Sequence, residues 1–369
     1  MEYAALIALT LIGLSAGLFV DSGDDDDDDT DTPTTGGGTD TGGTDTDGTD
    51  TGGTDTGGSD SGSDGILTSG GVTFGSESAD TLTAGPGAET VVGGGGDDQI
   101  SGTDNDNILD GQIGDDTLFG EGGSDQVFGS EGNDSLEGNG GNDLIAGGTG
   151  DDILAGGLGD DTMFGDTGND LLSGEDGDDQ LVGGEGDDTL FGGTGSDTVF
   201  GGAGNDSVLD GAGEDILVGG AGADTLDGGD GNDRIFGIWD GNDDDVIAVT
   251  DVDDPDVLLG GAGSDEIQMG SGDIVFGEED TDLFLTGTWV DPDNAPQIID
   301  LAADEVVLVS VPIGASAGAS ITIEEDGITG DSIVQFNGQT VVTVSAGAGP
   351  VSLDQILVVE IASLEQPTV

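Results

Sequence analysis

The chain has 369 residues, of which 81 are Asp or Glu against a single base, Arg234, giving a formal net charge of -80 with no His and no Cys. That balance excludes nucleic acid and anionic membrane surfaces, which bind through Lys and Arg, and it excludes disulfides, thiolate sites and imidazole zinc sites. Carboxylates and backbone carbonyls remain for metal chemistry, and with 78 Gly and only 4% aromatic residues a conventional core cannot offset the entropy of ordering the chain.

Residues 1–20 form an apolar N-terminal segment, with an uncharged run of 17 residues from Ala4 to Val20. It reaches the lower limit for a membrane span but lacks the basic n-region of a secretory signal. Three readings stand open: membrane anchor, signal-like segment, and an apolar helix bound elsewhere in protein. Residues 21–65 carry the run Asp24 to Asp29 and repeated Thr-Asp-Thr-Gly-Gly phrases. Low hydropathy and like charge predict a disordered, extended linker there.

From Gly75 to Phe236 the sequence divides into 18 consecutive nonapeptides. Position six is Asp in 16 of them: Asp80, Asp98, Asp116, Asp125, Asp134, Asp143, Asp152, Asp161, Asp170, Asp179, Asp188, Asp197, Asp206, Asp215, Asp224 and Asp233. Glu89 and Asn107 fill the other two. Position eight is Leu, Ile, Val or Met in all 18, and position four is Gly in 16. Fixed-period self-similarity of this kind signals a solenoid, and the glycine density excludes helices.

Each unit is expected to contain a six-residue turn and a short strand with one inward aliphatic, so that two units make an 18-residue coil with a strand on each face. Coils stack about 4.8 Å apart, which crowds the carboxylates of successive turns along each edge. A calcium ion between turns, taking about six to eight oxygens, converts that repulsion into bridging and makes folding ligand-dependent. Odd-numbered units give eight adjacent Asp pairs and even-numbered units six, so roughly 14 calcium ions are expected on this bridging scheme. The weak corner lies at Glu89 and Asn107.

Units such as "GGTGDDILA" (147–155) and "GGEGDDTLF" (183–191) match the pattern G-G-x-G-x-D-x-U-x. On these motifs the chain resembles the RTX, or hemolysin-type, calcium-binding repeat family over about 75–276. The resemblance implies an all-β fold built on a parallel β-roll, calcium-triggered folding outside the cell, and export from a Gram-negative bacterium by a type I secretion system. The terminal "LDQILVVEIASLEQPTV" is compatible with the uncleaved signal such exporters read. The N-terminal apolar run departs from that picture and suggests tethering at the cell surface.

Beyond Phe236 the phase breaks, and residues 237–282 read as degenerate repeats with one well-formed copy, Gly260 to Gln268, that adds Asp265 as a metal ligand, and a shortened copy through Phe276, both out of phase with the main array. Residues 283–369 read as a small C-terminal β domain, in which Asn337-Gly338 between two apolar runs predicts a hairpin.

Catalysis is not expected. The only Gly-x-Ser-x-Gly match, Gly314 to Gly318, has no imidazole to serve as base, and 81 acids give no way to single out a carboxylate pair. A secreted or cell-surface structural or adhesive role is the leading reading. The alternatives are a non-catalytic calcium-binding module of an exported hydrolase-like protein and a disordered acidic polyelectrolyte that binds calcium or mineral. One outward column, at position nine of the even units, places Phe128, Phe164, Phe200 and Phe236 two coils apart. It predicts an exposed apolar stripe, suited to self-association, a surface partner or docking of the C-terminal domain.

Overall fold

A computed structural model describes residues 67–87, 89–237, 246–247, 255–287, 290–312, 314–361 and 364–365. The N-terminal apolar segment (1–20) and the linker (21–65) lie outside these residues. Among the described residues no helix is long and apolar enough to cross a membrane.

The nonapeptides form the parallel middle of two 15-stranded sheets, odd units in one and even units in the other. Successive strands of a sheet are 18 residues apart and pair in register, as in Leu144 with Thr162 and Ile145 with Met163. Position eight points inward without exception. From Leu82 to Ile235 every such aliphatic is at most 2% exposed, and together they form one continuous core. A coil buries two of these side chains, too few to stand alone, so stability grows with stacking.

The strands run longer than expected. Most span six residues, such as Leu144–Thr149 and Thr162–Thr167, covering positions seven to nine of one unit and one to three of the next. The reason is alternation: the side chain at position eight and the glycine at position one both face inward, so the β period continues through the glycine. Only positions four to six turn the corner.

Beyond residue 237 the roll continues through the degenerate repeats. The strand Val257–Ala262 pairs with Thr225–Gly231, a sequence step of 32 rather than 18, and the roll resumes with Leu258, Ile267 and Val275 fully buried. The unit 277–285 then places Phe284 inward at 0% exposure.

Residues 283–369 carry the small C-terminal β region, and its strands pair onto the two sheets of the roll. Val306–Pro312 and Ile356–Ile361 continue the even sheet, while Gln297–Ile298 and Gln339–Val344 continue the odd one. Val307, Val309, Val334, Phe336 and Val342 join the common core. The predicted hairpin is present, Ser332–Phe336 with Gln339–Val344, and Asn337 and Gly338 both take positive φ, 54° and 80°, as a type I′ turn requires. A second hairpin, Leu67–Ser69 with Val72–Phe74, opens the even sheet over Gly70-Gly71.

Candidate metal centre

The position-six aspartates form two columns, one along each edge of the roll, and nearly all are buried. Each carboxylate reaches toward the preceding coil. The amide of Asp98 donates to Asp116 Oδ1, that of Asp116 to Asp134 Oδ1 and that of Asp134 to Asp152 Oδ1, all at 2.7 Å. The same step repeats through Asp170, Asp188, Asp206 and Asp224 at 2.8 Å. On the even edge it joins Asp125, Asp143, Asp161, Asp179, Asp197, Asp215 and Asp233 at 2.7 to 2.9 Å.

This accounts for one oxygen only. The Oδ2 atoms of 17 column aspartates, from Asp98 to Asp282, are buried with no hydrogen-bond partner. Buried polar groups are normally paired, and an unpaired buried carboxylate oxygen is the costliest kind. Hard, anionic oxygens repeated at every coil are the donor set calcium takes, and these residues fit that ion.

Glycine at position one is a consequence of the same geometry. A Cβ on Gly147 would collide with Asp152 Oδ2, and one on Gly165 with Asp170 Oδ2 and the Gly183 carbonyl. The inward space beside each aspartate is therefore reserved for oxygen. From Gln112 onward position two takes a left-handed backbone even where it is not glycine: Gln112, Glu121, Ser130, Asn139, Asp166 and Glu175 have φ between 70° and 87°.

Burial dominates the electrostatics. Loss of solvent pushes the carboxyls of Asp125, Asp152, Asp161, Asp188, Asp197, Asp206 and Asp233 up to about 7, with the accepted backbone hydrogen bond pulling the other way. Asp98, Asp134, Asp170, Asp179 and Asp224 are pushed up to about 6 for the same reason. Without a cation the fold therefore holds protons that an unfolded chain releases.

The column ends differ from its middle. Asp80 is only partly buried, and its Oδ2 accepts from the Ser76 amide and hydroxyl at 2.7 and 2.9 Å. Glu89 accepts from the Gly85 amide through Oε2. Asn107 Oδ1 accepts from the Thr103 amide at 2.7 Å, and its Nδ2 donates to the Gly87 carbonyl at 3.3 Å. These side chains are satisfied locally.

Four elements of the site escaped sequence reasoning. Asp256, Asp273 and Asp282 continue the columns: the Asp224 amide donates to Asp256 Oδ1 at 2.8 Å, that of Asp256 to Asp273 Oδ1 at 3.1 Å, and that of Asp265 to Asp282 Oδ1 at 3.0 Å. Asp265 itself accepts from the Asp233 amide across the 32-residue step. The signal was present, because "DVDDPDVLL" (251–259) and "GEEDTDLFL" (277–285) each carry Asp at position six and an apolar residue at position eight.

The fourth element is a second, outer column at position five. Its side chains accept from the amide of the following coil: Asp115 Oδ1 from Asn133, Asn133 Oδ1 from Asp151, Asp151 Oδ1 from Asn169 and Asn169 Oδ1 from Asp187, at 2.8 to 2.9 Å. It runs in the opposite sense to the inner column and explains why position five is so often Asp or Asn.

The phenylalanine stripe is ordered as expected but is not open along its length. Phe128, Ala146, Phe164, Val182, Phe200, Val218 and Phe236 are register neighbours across the even sheet. Phe200 and Phe236, however, are 7% and 3% exposed, and cluster with Val218, Val182 and Ile216. The Arg234 guanidinium also lies 5.2 Å from the Phe236 ring centroid. Only Phe128 and Phe164 keep partial exposure. Ser316 lies on an exposed loop between strands, with turns closed by Ala315 to Pro312 and Ala319 to Ser316 backbone bonds, and not on the strand-to-helix elbow a hydrolase nucleophile uses.

Residues 74–100, 101–136, 137–172, 173–208, 210–237 and 250–284, more than half of the chain, match the family described as RTX calcium-binding nonapeptide repeat. Comparison with curated proteins finds no match. Among solved structures, the extracellular lipase LipA from Serratia marcescens aligns at 20% identity with a TM-score of 0.18, over 59% of this chain and 40% of the lipase. At that score the likeness carries no argument, and the chain spans less than half of the lipase's length.

Proposed function

We propose, from the premise that the chain belongs to the RTX calcium-binding nonapeptide-repeat family, that it is a secreted or cell-surface structural protein whose roll assembles on binding calcium and which carries no catalysis. The observation that carries this reading is the pair of columns of buried aspartates, in which 17 carboxylates from Asp98 to Asp282 keep an unpaired Oδ2. In a low-calcium cytosol the repulsion within those columns keeps the chain extended and exportable. Outside the cell, calcium at about 0.1 to 1 mM, the range of extracellular modules, closes each step between coils.

The metal ligands in this reading are the position-six aspartates, Asp80 through Asp233, with Asp265 and the three later members Asp256, Asp273 and Asp282. These later members add four steps between coils to the roughly 14 expected on the bridging scheme. Passage through a type I exporter fits a chain that stays unfolded until it meets calcium. An adhesive or self-associating role would use Phe128 and Phe164, the part of the aromatic stripe that keeps partial exposure.

A disordered polyelectrolyte is disfavoured by the buried aliphatic at position eight of every unit, which diffuse ion binding does not require. The test is far-UV circular dichroism of the chelated chain titrated with calcium. A cooperative gain of β signal is expected, and a full β signal already present in excess chelator would overturn the reading.

A further inference from the structure

Position one of the nonapeptide is Gly in 16 of the 18 units and Ala at residue 84. The remaining unit has Asp210. Its side chain turns inward, is 2% exposed, and has no hydrogen-bond partner on either oxygen. It occupies the room left by Gly192, the position-one residue of the coil before it on the same edge. A Cβ on Gly192 would fall inside contact distance of Asp210 Oδ1 and of Asp197 Oδ2.

Asp197 and Asp215 are consecutive members of the even column, joined by the Asp197 amide to Asp215 Oδ1 bond at 2.9 Å. Asp210 thus projects a third carboxylate into the step between them. Oxygens of Asp197, Asp210 and Asp215 all lie within 4.8 Å of one another, and all three residues are buried. Among the described residues no other trio of acidic side chains meets this condition.

We propose that Asp197, Asp210 and Asp215 form a distinct three-carboxylate cation site that takes calcium before, and holds it more tightly than, the other steps of the two columns. The proposal rests on the calcium-binding reading above and singles out one step within it. A regular step sets two column carboxylates against one divalent ion. The third leaves surplus negative charge around the cation, and the charge of the ligand set is a principal control of calcium affinity. It also makes the site the best acceptor in the chain for a trivalent ion such as terbium. Because the site lies deep in the array, filling it first would fix two neighbouring coils as a template for the rest.

The experiment uses the full chain, stripped with chelator and titrated with calcium by calorimetry, alongside Asp210→Gly and Asp210→Asn. Gly restores the residue found at this position in the other units, so the roll should form normally at saturating calcium. The wild type should show one step about tenfold tighter than the rest, lost in Asp210→Gly and weakened in Asp210→Asn, with the later steps unchanged. A terbium titration supplies a second readout: the first equivalent should bind more weakly in Asp210→Gly. If Asp210→Gly superimposes on the wild type in both titrations while each still gains β signal with calcium, the three-carboxylate site is overturned and the general reading stands. Failure of the wild type to respond to calcium at all would overturn both.

Discussion

The amide of Asp116 donates to Oδ1 of Asp134 at 2.7 Å, joining residues 18 apart in sequence but adjacent in the stack. This bond turns an acidic side chain into a backbone clamp between coils. It also holds the other carboxylate oxygen in a buried, unpaired position, so the same residue fastens the fold and creates the demand for a cation.

Acidification should partly replace calcium. The carboxyls of Asp98, Asp125, Asp152 and Asp233 are raised to about 6 or 7 in the fold by burial, against about 3.9 in an unfolded chain. The folded state then binds more protons than the unfolded state between these values, so stability falls as pH rises through that window. Chelated protein is expected to gain β signal on going from pH 8 to pH 5. Calcium affinity is expected to weaken over the same interval, because the ion must displace protons. Circular dichroism and calorimetry at matched ionic strength measure both.

Asp152 offers a graded test of the clamp. Asp152→Asn keeps an oxygen for the Asp134 amide but removes the charge, and should raise the calcium midpoint severalfold while leaving the β signal at saturation intact. Asp152→Ala also strands the Asp134 amide, a further loss of about 1 to 3 kcal/mol. Thermal melts in saturating calcium should therefore rank wild type above Asn and Asn above Ala.

Inward and outward aliphatics of one strand should behave differently. Leu154 is 1% exposed and its neighbour Ile153 is 53% exposed. Leu154→Ala is expected to cost about 2 to 5 kcal/mol, whereas Ile153→Ala should stay within about 0.5 kcal/mol. Denaturant unfolding in calcium measures the difference.

Position two holds strain that can be relieved. Asp166 and Glu175 sit at φ 71° and 76°, a conformation that costs a non-glycine residue about 1 to 2 kcal/mol. Asp166→Gly and Glu175→Gly should each raise the melting temperature in calcium, by an amount equivalent to about 1 kcal/mol or less once the flexibility glycine adds to the unfolded chain is included. Lower melting temperatures would show that these side chains make compensating contacts.

The roll was legible because its two requirements recur in phase: an apolar residue at position eight of all 18 units and an acid at position six of all but the unit with Asn107. Strand pairing, core and inner columns follow from that phase. Strand length was misjudged because glycine at position one carries no apolar label, although it faces inward as a strand residue. Asp256, Asp273 and Asp282 were missed because the step to Asp256 is 32 residues and the unit that follows 260–268 has eight, so counting by nine loses the register that backbone pairing preserves. The burial of Phe200 and Phe236 was invisible because position nine faces outward by the strand period, and neighbours on the outer face of a sheet are not encoded in that period. Asp210 was passed over as an ordinary acid among 81. It stands out only against the glycine it replaces.

A stack of identical parallel coils is in principle an open-ended polymer, since each end offers unsatisfied backbone to another copy. Here neither end repeats the middle. The Gly70-Gly71 hairpin closes one sheet at the start, the other begins with only three residues, Thr81–Thr83, and the antiparallel strands from Ile321 to Val344 finish the far end. Asp80 likewise differs from the aspartates of the middle, because its Oδ2 accepts from Ser76. Among the described residues the uniform parallel stack is thus bounded by strands of a different kind, so neither boundary presents a copy of the coils in the middle.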